Sequence, residues 1–274
     1  DLNTTCGNEG RLRNYITMGF EPRLNANFDL GNVRNEFTGG VRVHWEKQKR
    51  RQENGDLPNS RDGALAEFNY RRNLAYSAFA QNRFIFGDFA VTPGIRVEKI
   101  NYERENRLTT PTFSGAVGET DITEVIPGIG VAYSGIRNTT IFAGVHRGFA
   151  PPRTEDIITN AGGVVELDAE RSWNYEIGVR TRPARGVSIE SAFFRNDYEN
   201  QIVAASIAGG TGAALTNGGE TLHQGFEFVS QIDTGAIRRS PHNIYFRAAY
   251  TWLPIAEFRG VRFSSVRPTV SVAG

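Results

Sequence analysis

The side chains that could bind or transform another molecule lie mostly in long polar segments, and their spacing excludes several kinds of site. The four histidines and the single cysteine form no His-x-x-x-His or Cys-x-x-Cys pair, so we expect no metal site built from protein ligands. The glycine-rich run at residues 209–212 lacks the Lys-Ser/Thr pair of a phosphate-binding loop. No Gly-x-Ser-x-Gly sequence marks a serine nucleophile. We therefore expect no catalytic residue and no cofactor.

Acidic residues are concentrated in one polar segment, at residues 150–170. Glu155 and Asp156 are adjacent, and Glu166, Asp168 and Glu170 follow. Carboxylates could bind Ca²⁺, but the spacing of an EF-hand loop is absent. The pattern favours a solvated loop over a calcium site.

Arginine and histidine side chains at the ends of predicted strands are the better binding candidates. An arginine guanidinium is planar and can bind a carboxylate through two parallel hydrogen bonds. The alternative for each arginine is a solvated loop charge, and for each histidine a structural role in a strand. The candidates are Arg71, Arg72, Arg104, Arg107, Arg153, His146 and His223, with less support for His44 and His242.

Composition narrows the class of protein. The 274 residues carry 31 basic and 30 acidic side chains, a net charge of +1, which argues against nucleic acid as a partner. No run of 18 apolar residues is present, so a transmembrane helix is not expected. Cys6 lies in a polar stretch, either as a lone thiol or as half of a disulfide whose partner lies upstream of Asp1.

The elements that must position these side chains are β-strands, most clearly at residues 73–102, where two strands meet at Gly87-Asp88. In the second of them Ile95 and Val97 alternate with Arg96 and Glu98. One face is thus free of charge, and the other carries charges that we expect to form ion pairs between neighbouring strands. Around a closed sheet this pattern describes a transmembrane barrel with lipid outside and water inside. A soluble sandwich also alternates and is the alternative.

The same alternation predicts about ten strands in five hairpins. They lie at residues 15–30, 35–48, 73–86, 89–102, 123–133, 139–149, 173–180, 187–198, 223–232 and 244–252. Pro22 has no N–H to donate, so we expect a bulge or a local break in the first strand there. Short and long connections alternate, as in outer-membrane barrels. The long ones are residues 49–72, 104–121, 150–170, 199–222 and 253–274.

Several phrases resemble the barrel of TonB-dependent outer-membrane receptors, most closely those of the ferric citrate type. They are AFAQNRFIFGDFAVTPGIRVEK (78–99), HRGFAPPRTEDI (146–157), ELDAERSWNYEIGVRTRP (166–183), AFFRNDYENQIV (192–203) and NGGETLHQGFEF (217–228). The resemblance implies that residues 1–274 are part of one antiparallel up-and-down barrel domain, about ten strands of 22, with the N-terminal plug domain absent.

The resemblance also implies a function. Such a receptor captures a ferric chelate, here iron citrate or another siderophore, at its extracellular loops. It imports the chelate when the TonB complex acts through the plug. Arginines would bind an anionic chelate or lipopolysaccharide phosphate, and the protein would sit in the outer membrane of a Gram-negative bacterium. Import of cobalamin, haem or sugars, and a soluble all-β carbohydrate-binding module, are the alternatives; a hydrolytic outer-membrane enzyme is disfavoured because no nucleophile is found.

Overall fold

A computed structural model describes residues 7–110, 114–204, 214–258 and 261–262, and these residues form one antiparallel sheet. Neighbours in the sheet follow chain order, except that the first two strands both pair with the third. The strands are β1 (Asn8–Phe20), β2 (Arg23–Leu30), β3 (Val33–Gly55), β4 (Ala64–Phe86), β5 (Phe89–Asn106), β6 (Ala116–Ile136), β7 (Thr139–Ala150), β8 (Glu170–Ala184), β9 (Val187–Ala204), β10 (Leu215–Asp233), β11 (Tyr245–Phe258) and β12 (Val261–Arg262). The predicted all-β, up-and-down fold class is confirmed.

Two short helices lie in connections between strands. Helix α1 (Thr154–Ile157) follows β7, and helix α2 (Thr234–Arg238) follows β10. Asp233 caps α2, since its side chain accepts a hydrogen bond of 2.7 Å from the backbone N–H of Ala236. Neither helix in the described ranges is long and apolar enough to cross a membrane.

The first predicted strand is broken at Pro22, as expected. β1 ends at Phe20, opposite Val43, and β2 begins at Arg23, opposite Gly40. Pro22 still accepts a hydrogen bond of 3.3 Å from the N–H of Val41 but has none to give. The register is the same on both sides, so β1 and β2 act as one interrupted strand.

Most strands are longer than the alternation predicted. β3 and β4 extend through most of residues 49–72, and β11 continues to Phe258 in a segment predicted as a loop. The predicted loops at 104–121 and 199–222 are likewise shortened by the strands on each side. The extension of β3, residues 49–55, is polar on both faces, so the apolar side chains that mark a strand in the sequence are missing there. The extension of β11, residues 253–258, is largely apolar (LPIAEF), and the loop predicted there is wrong. Cys6 and residues 209–212 lie outside the described residues.

The two faces of the sheet differ as predicted. On the apolar face Ile95 is 49% exposed and Ile177 is 55% exposed, so these side chains do not pack into a common core. On the polar face the expected cross-strand ion pairs form, such as Arg180 with Glu190 at 2.6 Å. Other pairs lie within one strand, such as Arg96 with Glu98 at 2.5 Å. A sandwich would need a second sheet against the apolar face, and the described strands all belong to one. The sandwich alternative is therefore wrong.

The sheet is open along both edges. β1 and β2 pair only with β3, and β12 pairs only with β11, among the strands that the structure describes. The described sheet therefore does not close on itself, and we call it the wall.

Candidate ligand-binding cavity

The connection between β7 and β8, residues 151–169, folds back over the polar face, and we call it the covering segment. Pro151 and Pro152 at its start have no backbone N–H, which ends the ladder of β7. Ile157 and Ile158, in and after α1, pack on Tyr102 of β5, with Ile100 and Ile122 beside them. This contact is a buried apolar cluster on a face that is mostly polar.

Buried ion pairs fasten the covering segment to the wall. Arg71 of β4 is only 4% exposed and donates to Glu155 of the segment at 2.6 Å. Arg71 also pairs with Glu67 at 3.3 Å, and Arg50 pairs with Glu67 at 2.8 Å. Arg50 lies 3.8 Å from Glu155. The charge of the buried Arg71 and those of the two partly buried carboxylates are therefore compensated, as burial requires.

Arg104 of β5 holds the next part of the segment. It donates to the backbone carbonyl of Ile158 at 2.6 Å and to the side chain of Asn160. Asn106 donates to the carbonyl of Asn160 at 2.9 Å. Carbonyl groups that no strand pairs with are thus satisfied by wall side chains, which fixes the path of the segment.

The far end of the segment is tied to more distant strands. Asn217 of β10 accepts from the N–H of Asp168 at 2.7 Å and donates to its carbonyl at 2.9 Å. The carboxylate of Glu170 accepts from the N–H of Ile202 at 2.9 Å. The carboxylate of Glu170 is therefore used to order the wall. Within the described part of the chain, no three His, Cys, Asp or Glu side chains converge as a metal site.

The charged groups of α1 show the effect of these contacts. Burial raises the pKa of Glu155, but the charge of Arg71 and a backbone hydrogen bond lower it more, so the pKa lies below its ordinary value. A side-chain hydrogen bond to Asp156, and then its charge, raise the pKa of Arg153. Glu155 and Arg153 are therefore both charged at neutral pH.

Between the covering segment and the wall lies an open cavity of about 490 Å³. Strands β1, β3, β4 and β5 supply one side of it, and residues 151–155 supply the other. Its lining residues are Arg13, Tyr15, His44, Glu46, Gln48, Arg71, Asn73, Ala75, Ile100, Tyr102, Pro151, Pro152, Arg153, Thr154 and Glu155.

The cavity keeps several binding groups free. Arg13 and Glu46 form no ion pair with any residue that the structure describes. His44 lies 3.2 Å from the guanidinium of Arg42, so one ring nitrogen is engaged and the other is open. Tyr15 accepts a hydrogen bond of 2.5 Å from Gln48 and can still donate its hydroxyl proton. The site can therefore bind a polar ligand that offers both acceptors and donors, with a small surplus of positive charge.

The arginines that the sequence predicts as ligand-binding candidates lie in three places. Arg71 and Arg153 line the cavity, and Arg104 lies beneath the covering segment. Arg72 and Arg107 lie away from the cavity, where both pair with Glu105, at 2.8 Å and 2.6 Å. Alternation explains this division, because Arg71 and Arg72 point to opposite faces of β4.

The predicted histidines lie elsewhere on the polar face. His146 of β7 is exposed beside a second cleft of about 430 Å³, which Arg96 and Phe79 also line. His223 of β10 meets the ring of Tyr198 edge-on, with 5.6 Å between the ring centroids. Neither histidine reaches the cavity beneath the covering segment.

Sequence reasoning missed Arg13, Tyr15 and Glu46 as cavity residues, and it gave little weight to His44. Alternation along the strands did give a signal for three of them, because it assigns Tyr15, His44 and Glu46 to the polar face. Arg13 lies before the predicted start of the first strand. What the sequence lacked was a signal that residues 151–155 return to strands formed about a hundred residues earlier.

Comparison with known proteins shows which family and which solved structures this chain resembles. A family model described as "TonB dependent receptor-like, beta-barrel" matches residues 3–272. Among solved structures, the unliganded ferric citrate transporter FecA matches with a TM-score of 0.74 and 22% identity, over 92% of this chain and 37% of that one.

Two further structures agree in fold. The siderophore receptor PiuA from Acinetobacter baumannii matches with a TM-score of 0.70 and 15% identity, over 95% of this chain and 41% of that one. The ferric-catecholate import receptor Fiu from Escherichia coli K12 matches with a TM-score of 0.65 and 15% identity, over 94% and 40%. The chain thus spans about two fifths of the length of the solved structures that it matches.

Proposed function

This chain belongs to the TonB-dependent receptor-like β-barrel family, and on that premise we propose that it forms part of the wall of an outer-membrane receptor for a ferric chelate. The receptor binds the chelate at its extracellular end and imports it in a TonB-dependent way. The family is one of transport receptors rather than enzymes. The plug domain and the TonB complex that acts on it are the partners that such import needs.

The observation that carries the proposal is the position of the cavity. It lies in the half of β3, β4 and β5 that leads to their longer connections, and long connections are extracellular in outer-membrane barrels. It opens on the polar face, which in a barrel is the lumen. A ligand entering from outside would therefore meet it before any deeper part of the wall.

The groups in the cavity suit a chelate that carries carboxylates or hydroxyls. Arg13 supplies a guanidinium group for carboxylate oxygens, and Tyr15 and His44 supply single donors. Arg153 contributes mainly its charge, because two of its nitrogens already donate to Asp156, at 2.8 Å and 3.1 Å. Arg71 also contributes positive charge, although its own hydrogen bonds are already made, to Glu155 of the covering segment and to side chains of β3 and β4. Arg72 and Arg107, on the other side of the wall, are placed to meet lipopolysaccharide of the outer membrane.

Uptake of iron complexed with citrate by cells producing the full-length receptor tests this function. We expect uptake that requires both the receptor and TonB. The variant R13Q should bind the chelate about tenfold more weakly, because it loses one charged hydrogen bond of about 1.5 kcal/mol. The matched control is R11Q, two residues away on the same strand, where the arginine pairs with Glu9 and lies outside the cavity.

Uptake assays with the same cells distinguish the alternative substrates of the receptor. Uptake of cobalamin, haem or a sugar in place of iron citrate would show that the chelate is assigned wrongly while the transport role stands. Equal affinity of R13Q and the unchanged receptor would remove this cavity as the binding site. Absence of any TonB-dependent uptake would overturn the proposal.

A further inference from the structure

Three successive turns at the end of the sheet opposite the cavity carry five arginines, which we call the turn arginines. One lies between β6 and β7, two at the turn between β8 and β9, and two in and after α2. They are Arg137, Arg182, Arg185, Arg238 and Arg239. None forms an ion pair with a residue in the described ranges. Strand arginines nearby do, for example Arg180 with Glu190 at 2.6 Å.

The three turns form one continuous surface. The backbone N–H of Arg182 donates to Asn138 of the first turn at 2.9 Å, and that of Asp233 donates to Gly186 of the second at 2.7 Å. A cleft of about 550 Å³ joins them and is lined by Arg182 and Arg185. The carboxylate of Asp233, also at this cleft, is occupied by the cap of α2. The surface is therefore strongly cationic, although the whole chain has a net charge of only +1.

Apolar side chains border the turn arginines and continue into the apolar face. Ile244, just before β11, is 74% exposed, and Ile237 of α2 and Ile136 at the end of β6 are also exposed. Guanidinium groups next to exposed isoleucines match an amphiphile that has an anionic head and acyl chains. A soluble acidic partner would account for the charge but not for the apolar border.

We propose that the turn arginines bind the phosphate groups of anionic phospholipid in the leaflet at the short-turn end of the barrel. The inference rests on the proposed placement of this sheet in the outer membrane. Each basic side chain near an anionic lipid surface strengthens binding by about fivefold. The attraction acts between exposed charges, so salt weakens it.

Lipid titration of the full-length receptor in neutral detergent tests the proposal, with fluorescent phosphatidylglycerol and phosphatidylcholine as separate probes. We expect phosphatidylglycerol to bind at least about tenfold more tightly at low salt, and the difference to shrink at high salt. The variants R182Q/R185Q and R238Q/R239Q should each weaken phosphatidylglycerol binding about tenfold or more. The control R11Q/R61Q removes two arginines from the opposite end and should change nothing. Heat-modifiable mobility in electrophoresis verifies that each variant is folded.

Several results would overturn the inference. They are equal binding of the two lipids, full binding by both turn variants, or an equal loss in R11Q/R61Q. A photoreactive amino acid at the position of Gln231, in the cleft, should crosslink to lipid in cells, and a crosslink only to a protein would also overturn it. Iron citrate binding is measured on the same samples. Chelate binding without a lipid preference defeats this inference alone, and a lipid preference without chelate binding defeats the proposed function alone.

Discussion

Replacing Arg71 with methionine is expected to release the covering segment from the wall of the full-length receptor. The change leaves the carboxylate of Glu155 beneath the segment with only Arg50, at 3.8 Å, as a partner from the wall. Removing one member of a buried ion pair costs about 3–5 kcal/mol, and the remaining Arg50 puts this case near 3 kcal/mol. Backbone amides of α1 should then exchange hydrogen roughly a hundredfold faster, because local opening becomes that much easier.

Arg72 provides the matched control, since it is the next residue in β4 and points to the other face. Its ion pairs with Glu103 and Glu105 are partly exposed, and such pairs contribute about 0–1 kcal/mol. R72M should therefore leave exchange in α1 unchanged. The double variant R71M/E155Q removes both charges and should cost less than R71M alone. Equal exchange in R71M and the unchanged receptor would show that the ion pairs do not hold the segment.

Introducing arginine at Ile177 should destabilise the folded receptor by about 2–4 kcal/mol, the cost of a lipid-facing charge near the middle of a barrel strand. Ile177 lies midway along β8 (Glu170–Ala184), between Ala143 and Phe193 on the apolar face. Urea unfolding of the receptor in lipid vesicles measures the change. The midpoint for I177R should fall clearly below that of the unchanged protein.

Glu176, the residue before Ile177 in β8, supplies a control at the same depth in the same strand. Glu176 points to the polar face, so E176R replaces one charge by another in a polar lumen and should change the unfolding free energy by less than about 1 kcal/mol. Equal losses in I177R and E176R would mean that the faces are not distinguished by lipid. A larger loss in E176R would reverse the assignment of the faces.

The sheet could be predicted because the alternation of apolar and polar side chains along a strand is a strictly local signal. Ile95 and Arg96 were assigned to opposite faces from alternation alone, and the break at Pro22 followed from its missing N–H. Strand ends were predicted less well. The extension of β3 beyond the apolar band is polar on both sides, as at Lys49 and Arg50, and polar segments of this kind look like loops in a sequence.

The cavity could be predicted only in part, because it depends on a contact between distant segments. Arg71 and Glu155 are 84 positions apart, and no local pattern links them. The sequence identified Arg71, Arg104 and Arg153 as cations near long connections. It could not show that Arg104 would be used to hold the covering segment, nor that Arg13 of the first strand would be left free at the cavity.

The placement of the two faces, on which the membrane location and the transport role both depend, is tested most directly by a labelling scan of residues 173–180 in the full-length receptor. A fluorophore is attached to one cysteine at a time, with Cys6 replaced by serine, and quenched by nitroxide lipid or by a soluble quencher. We expect lipid to quench the odd positions, including Ile177, and the soluble quencher to reach the even ones, including Glu176. Quenching that shows no two-residue alternation, or lipid quenching at the even positions, would contradict a barrel wall with its apolar face in the membrane.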